Sequence, residues 1–226
     1  MFHSLFGVEP NEIQKTCVLT PFIYRELVTD LQTTPFHRGL PYSCAQGKGF
    51  TLIYSRPGAL STADAVLFLK DTPCEQLILL GACGSAAEDH TAGKLILVKE
   101  AVNMESFSHL LKFGPVPDER CPADPGLLER LRQATGLPAE SCATFGSIKL
   151  EDEYLEKLRE KDITVIDMEC SAFLAAGAHI QKPAAALLYI SDIIGQDNVY
   201  LIDRTSPEIR KAQKKAANLL LQFAAS

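Results

Sequence analysis

Along this chain, short uninterrupted apolar runs alternate with stretches of helical period. TCVLTPF (16–22), GFTLIYS (49–55), QLILLGACGS (76–85), KLILVKEAVN (94–103), ITVIDME (163–169) and the start of LLYISDIIGQD (187–197) read as strands. Their apolar residues are consecutive rather than alternate, the pattern of strands covered on both faces. IYRELVTDL (23–31), DEYLEKLREKD (152–162) and CSAFLAAGAHI (170–180) read as helices between them. Residues 56–70 open on a Gly/Pro/Ser turn and place Ser61 or Thr62 at a helix N-cap. PGLLERLRQATG (125–136) has Pro125 near its start and Gly136 as its stop, and a last helix over 207–225 begins at Pro207. FGPVPDERCPADPG (113–126) is rich in proline and charge and reads as a long surface loop. No repeat, low-complexity stretch or linker divides the chain. The expectation is one domain over 1–226, of the α/β class with helices on both faces of a sheet.

Composition narrows the function. A chain of 226 residues can bury a sizeable core without disulfides or metals. Its net charge of −6 argues against a nucleic-acid partner, which calls for a basic face. The lysines of RKAQKKAANLL have helical spacing and read as a solvated helix face. The seven cysteines are odd in number, form no CxxC and show no zinc-type Cys/His spacing, so they read as free thiols of a reducing cytoplasm. The N-terminus lacks the basic and apolar regions of a signal peptide. No run reaches the ~18 to 20 apolar residues of a membrane span. The expected location is the cytoplasm, with no membrane partner.

Ligands of α/β sheets bind at the carboxyl ends of the strands. Three strands here end in suggestive residues: GACGS after 77–80, DMECS after 163–167 and SDIIGQD after 187–190. Each has a plain alternative. The glycines make a tight turn, and GACGS has neither dinucleotide-fingerprint nor phosphate-loop spacing. Cys83 misses the nucleophile-elbow spacing by one position and suits a small buried hydrophobe. Glu169 suits the first turn of a helix, and Asp192 suits an N-cap.

In this order and at these separations, LILLGACGS, VIDMECSAFLAAGA and LLYISDIIGQD resemble the purine nucleoside phosphorylase and uridine phosphorylase superfamily. That group includes methylthioadenosine/S-adenosylhomocysteine nucleosidases and futalosine hydrolases. The resemblance covers roughly residues 16 to 225. It implies a central mixed, partly barrel-like sheet flanked by helices, the three-layer fold of nucleoside phosphorylases. It also implies a homo-oligomer, a dimer or a trimer of dimers, that takes a purine nucleoside and needs no metal or organic cofactor.

Cleavage of an N-glycosidic bond leaves charge on the departing base and an oxocarbenium-like sugar. By the resemblance, Asp192 protonates a purine ring nitrogen, N7, and Ser191 orients it. A free Asp has a pKa of about 3.9, and burial among Ile190, Ile193 and Ile194 would raise it. General acid catalysis contributes ~10² to 10⁴ in rate. Glu169 would accept hydrogen bonds from the ribose hydroxyls, and Met168 would line the sugar face. In ATFGSIKL, Phe145 would stack on the base, while Ser147 and Ile148 would meet its edge. Gly81, Ala82, Cys83 and Gly84 would form the central turn beneath the substrate.

The nucleophile divides the superfamily. Its phosphorylases draw an anion pocket from a Gly-Asp-Pro-x-Arg segment and often from an Arg and a Ser around the central turn. Here LTPFIYRE lacks Gly-Asp-Pro and is one residue short, although Arg25 falls near the arginine role. Leu79 and Ala82 stand where the second arginine and the serine would fall. A phosphate dianion needs several such partners. The nucleosidases use a glutamate near the first strand to activate water, and Glu26 lies close to that position. The balance favours hydrolysis. One alternative is a phosphorylase using Arg25, Arg38 or Arg56, with phosphate as co-substrate and some residues from a neighbouring subunit. The other is a noncatalytic nucleoside-binding relative. His109 and Phe107 are candidates to complete a neighbour's site.

Overall fold

The computed structural model describes residues 1–87, 89–104, 106–114, 119–195 and 206–225, with Phe107 and Phe113 described in their backbone only. The chain runs α1 (Phe2–Phe6), β1 (Thr16–Thr20), α2 (Leu27–Asp30), β2 (His37–Arg38), β3 (Ser43–Gly47), β4 (Phe50–Tyr54), α3 (Ala59–Leu67) and β5 (Gln76–Ser85). It continues through β6 (Leu95–Asn103), α4 (Phe107–Phe113), β7 (Arg120–Pro122), α5 (Pro125–Thr135), β8 (Ala139–Thr144) and α6 (Ile148–Arg159). It ends in β9 (Val165–Asp167), α7 (Cys170–His179), β10 (Ala184–Ile193) and α8 (Pro207–Ala225).

Five strands close on themselves. β10 pairs with β5 and β6, β6 with β8, β8 with β9, and β9 returns to β5. β1, β4, β3 and β2 extend the sheet outward from β5, and β7 pairs with β6. The mixed, barrel-like sheet flanked by helices is therefore present.

β5 is where the closed and open parts of the sheet meet. On one edge it pairs with β10 from Leu77 to Ser85. On the other, Gln76–Leu79 pair with β1, and Gly84 and Ser85 pair with β9. No described strand pairs with Leu80–Cys83 on that second edge. Two neighbours part there, which opens a crevice at the strand's carboxyl half.

The core follows from the apolar runs. All of β1 is buried, as is β10 up to Asp192. α7 packs tightly on the sheet because it is made of small residues: a Cβ added at Gly177 would stand 2.6 Å from the Ala184 Cβ. A second apolar cluster under α6 gathers Phe145, Leu158, Ile163 and Ile166. Where the pattern marked helix ends, capping chemistry agrees. Asp124 Oδ1 accepts from the Leu127 amide at 2.7 Å, with Pro125 at the first turn and Gly136 left-handed at the end of α5.

Several elements depart from the sequence expectation. α2 covers only four residues, shorter than the helix read over 23–31. α3 starts after Gly58, whose φ of 103° sets the entry; Ser61 and Thr62 instead lie inside the helix and bond back to Ser55. α6 begins at Ile148, four residues before the amphipathic stretch quoted above. The segment over 113–126 contains β7, although its residues 115–118 lie outside the described residues. Among the described residues no helix is long and apolar enough to cross a membrane.

Candidate active site

The crevice beside β5 opens into a cavity of about 320 Å³. Ala82, Cys83 and Gly84 of β5 form its floor. Ser191 and Asp192 of β10 form one wall, and Ile166, Asp167, Met168 and Glu169 form another. Ile148 and Glu151 enter from α6, and Phe22 and Pro57 from the loops after β1 and β4. The size is that of a small-molecule site.

Asp192 reaches this cavity through an irregularity. β10 runs in register with β5 up to Ile190 opposite Cys83, and the next pair is Asp192 opposite Gly84. Ser191 is the extra residue of a β-bulge, a device that re-aims side chains beside sites. Ser191 Oγ lies 2.7 Å from Asp192 Oδ1 and 3.1 Å from the Cys83 carbonyl, with its one proton directed to the nearer acceptor, Asp192 Oδ1. The other oxygen, Oδ2, lies over Gly84, where an added Cβ would approach it to 3.2 Å. Asp192 is 8% exposed. Burial pushes its carboxyl up from the ordinary value, against the pull of the Ser191 hydroxyl.

Glu169 stands at the start of α7 and is 2% exposed. Its Oε1 accepts from the Gly58 amide at 2.7 Å, which ties the α3 entry to the cavity. Asp167 fixes this corner. Its Oδ2 accepts the amides of Glu169 and Cys170 at 2.9 and 2.6 Å, and its Oδ1 accepts from Thr144 at 2.7 Å. The residue that the sequence marked only as a strand end thus caps α7 and aims Glu169.

Glu151 is raised as well. Burial, then the charges of Asp192, Asp152 and Asp167, push it up to about 8. Four of the lining residues are acids and, among the described residues, none of the lining side chains is Lys, Arg or His. Cys142, Asp167 and Cys170 bring ligand-type atoms within 4.8 Å of one another behind the wall. The Asp167 oxygens there are already engaged as acceptors, and burial raises both thiols, so the set is that of a hydrogen-bonded helix cap.

Of the residues expected in the site, Asp192, Ser191, Glu169, Met168, Ile148, Ala82, Cys83 and Gly84 meet in this one cavity. Gly81 does not; it lines a small neighbouring hollow with Thr20, Tyr24 and Tyr189, and Phe22 belongs to both. Phe145 is fully buried in the cluster under α6, with its ring 5.8 Å from that of Tyr154, so it is unavailable to stack on a ligand. Ser147 is the N-cap of α6, outside the cavity wall. Glu26 and Arg25 also lie outside it. Arg25 is exposed, and Glu26 is drawn toward Arg210 of α8, whose Nε lies 3.8 Å from Glu26 Oε2. The cause is α2, which docks on α8 through the Asp30–Arg210 pair and turns this segment away from the crevice. Arg38 and Arg56 are exposed, and Arg56 donates to the Pro41 carbonyl at 2.7 Å. His109 lies on α4, outside the cavity wall, and the Phe107 side chain, like Gln196 and Asp197, lies outside the described residues.

Phe22, Pro57, Glu151, Ile166 and Asp167 are additions. Glu151 had a signal in the sequence: with Ile148, Leu155 and Leu158 it occupies the apolar stripe of one helix.

The fold is thus a closed α/β sheet with a carboxyl-lined cavity of small-molecule size at its strand ends. Residues 15–225 match the family model of the phosphorylase superfamily, and the chain belongs to that superfamily. A sequence comparison with curated proteins gives no match. Solved structures share the fold. The 5′-methylthioadenosine/S-adenosyl homocysteine nucleosidase of Campylobacter jejuni superposes with a TM-score of 0.75 at 18% identity, over 93% of this chain and 98% of that one. The purine nucleoside phosphorylase of Toxoplasma gondii in complex with immucillin-H gives 0.78 at 19%, over 96% and 93%. The futalosine hydrolase of Helicobacter pylori gives 0.74 at 14%, over 95% and 98%.

Proposed function

We propose that this protein cleaves the N-glycosidic bond of a purine nucleoside, with water as the nucleophile. The observation that carries this is the convergence of Asp192 and Glu169 on one cavity, the first raised above the ordinary carboxylate value by burial and the second aimed by Asp167. Ser191 donates to Asp192 Oδ1, so the acid's own proton sits on Oδ2, which lies over the floor glycine. From there it passes to N7 of the base as the C–N bond breaks. Glu169 accepts hydrogen bonds from the ribose hydroxyls, and its charge favours the cationic sugar of the transition state. Water adds to the sugar cation on forming the new C–O bond, and the proton it loses returns through solvent to the Asp192 carboxylate left when N7 was protonated, so the step needs no Glu26 in the wall. A phosphate dianion would enter a cavity of acids with no basic residue among its described lining.

The test is release of free base from adenosine, inosine, methylthioadenosine, S-adenosylhomocysteine, a futalosine-type nucleoside and uridine, with and without phosphate. Purine release in phosphate-free buffer is the expected result. Release that requires phosphate would overturn the choice of water. Release of uracil alone would overturn the role of Asp192 as a donor to N7.

A further inference from the structure

We infer that Glu151 reads the base: it is the specificity-determining residue for a purine carrying an oxo or amino group at C6. The inference rests on Asp192 acting at N7.

Glu151 projects from α6 into the same cavity as Asp192, one helical turn after Ile148. It is 7% exposed, and no described residue forms a hydrogen bond or ion pair with it. Its carboxyl lies at the cavity lining rather than sealed in the core. Its neighbours on the same helix face, Leu155 and Leu158, pack in the apolar cluster, and a purely structural solution would place another apolar side chain here. A ligand in the cavity is therefore placed to supply the partner that the chain does not.

The groups facing it fix its protonation. Asp192 on β10 weighs most among the charges, followed by Asp152 on its own helix and Asp167 on β9; Glu169 and Cys83 share the wall. The N-terminal end of α6 favours an anion, but burial and these acids outweigh it. At neutral pH the group is a neutral carboxylic acid with one donor and one acceptor. A 6-oxopurine offers N1–H beside O6, and a 6-aminopurine offers N1 beside an amino hydrogen. Either edge pairs with a neutral carboxyl through two hydrogen bonds. The C6 edge adjoins N7 in the purine ring, which matches two carboxyls that line one cavity.

The experiment compares full-length wild type, Glu151→Gln and Glu151→Leu with inosine and adenosine from pH 6 to 9. Gln keeps a donor and an acceptor; Leu keeps neither. The expected result is a loss in kcat/KM of about tenfold to a hundredfold in Glu151→Leu, carried mainly by KM, with Glu151→Gln within about threefold of wild type. Wild-type KM rises as pH passes about 8, whereas that of Glu151→Gln does not. Wild-type values in Glu151→Leu, equal losses in both variants, or coincident pH profiles of KM in wild type and Glu151→Gln would overturn the inference. If Glu151→Leu melts early, the pH comparison of wild type with Glu151→Gln decides. If wild type cleaves no nucleoside, the proposed function fails separately. Calorimetric binding of free hypoxanthine and adenine to wild type and Glu151→Gln above and below pH 8 then decides. Tighter binding at the lower pH in wild type alone supports the inference, and any other pattern overturns it.

Discussion

Asp192 differs from an exposed aspartate only in its setting, and burial there raises its carboxyl toward the range the proposed proton donor needs. Replacing it by Asn keeps the shape and removes the acid. Asp192→Asn should lower kcat by about 10² to 10⁴ with little change in substrate affinity, measured by turnover and by equilibrium binding. The protonated form is the working one, so kcat should fall as pH rises through the elevated pKa of Asp192. Glu151 adds a stability effect of the same sign. A carboxyl raised in the folded state favours folding fully below its unfolded value of 4.5, and that contribution is lost as pH climbs to about 8. In that window wild type should lose up to about 1.4 kcal/mol per pH unit relative to Glu151→Gln. Urea unfolding at several pH values reads the difference.

At the scale of elements, the site depends on how closely β5, β10 and α7 approach. Gly84→Ala would press a methyl against Asp192 Oδ2 and the Ile194 side chain, both 3.2 Å away. It should cost activity more than stability, a contrast read by kcat against melting temperature. Gly177→Ala should do the reverse. Its Cβ meets Ala184 at 2.6 Å, and overpacking of that kind costs about 1 to 3 kcal/mol in chemical denaturation. The strands that the apolar runs announced are those buried on consecutive positions, β1, β4, β5, β6, β9 and β10. β8 has no such run, because AESCAT is buried through small and polar residues that find partners: Thr144 on Asp167, Ser141 on Glu100. The site divides in the same way. Asp192 and Glu169 fall in the cavity because each follows a strong strand directly. Phe145 and Glu26 fall outside it because their positions depend on where α6 and α2 dock, which no local pattern records. Glu151 was missed because helix α6 begins earlier than its charged stretch suggested.

At the scale of the molecule, the last helix closes the fold against the first crossover. Arg210 of α8 forms a two-pronged pair with Asp30 of α2, a half-buried residue whose side chain is only 7% exposed. Arg210→Ala would leave that carboxylate unpaired and should lower stability in urea unfolding, with the cavity beside β5 left intact. The cysteines belong to this scale as well. All seven are free and buried, spread over β1, β3, β5, β7, β8, α7 and the turn before β5. Attack on a thiol-reactive reagent requires both access and the thiolate. The folded protein should therefore react slowly and the unfolded chain quickly. A maleimide added to the native protein becomes a clock. Each modified position, located by mass spectrometry, would date the moment its own part of the sheet came open, giving a map of breathing across the barrel without a single engineered label.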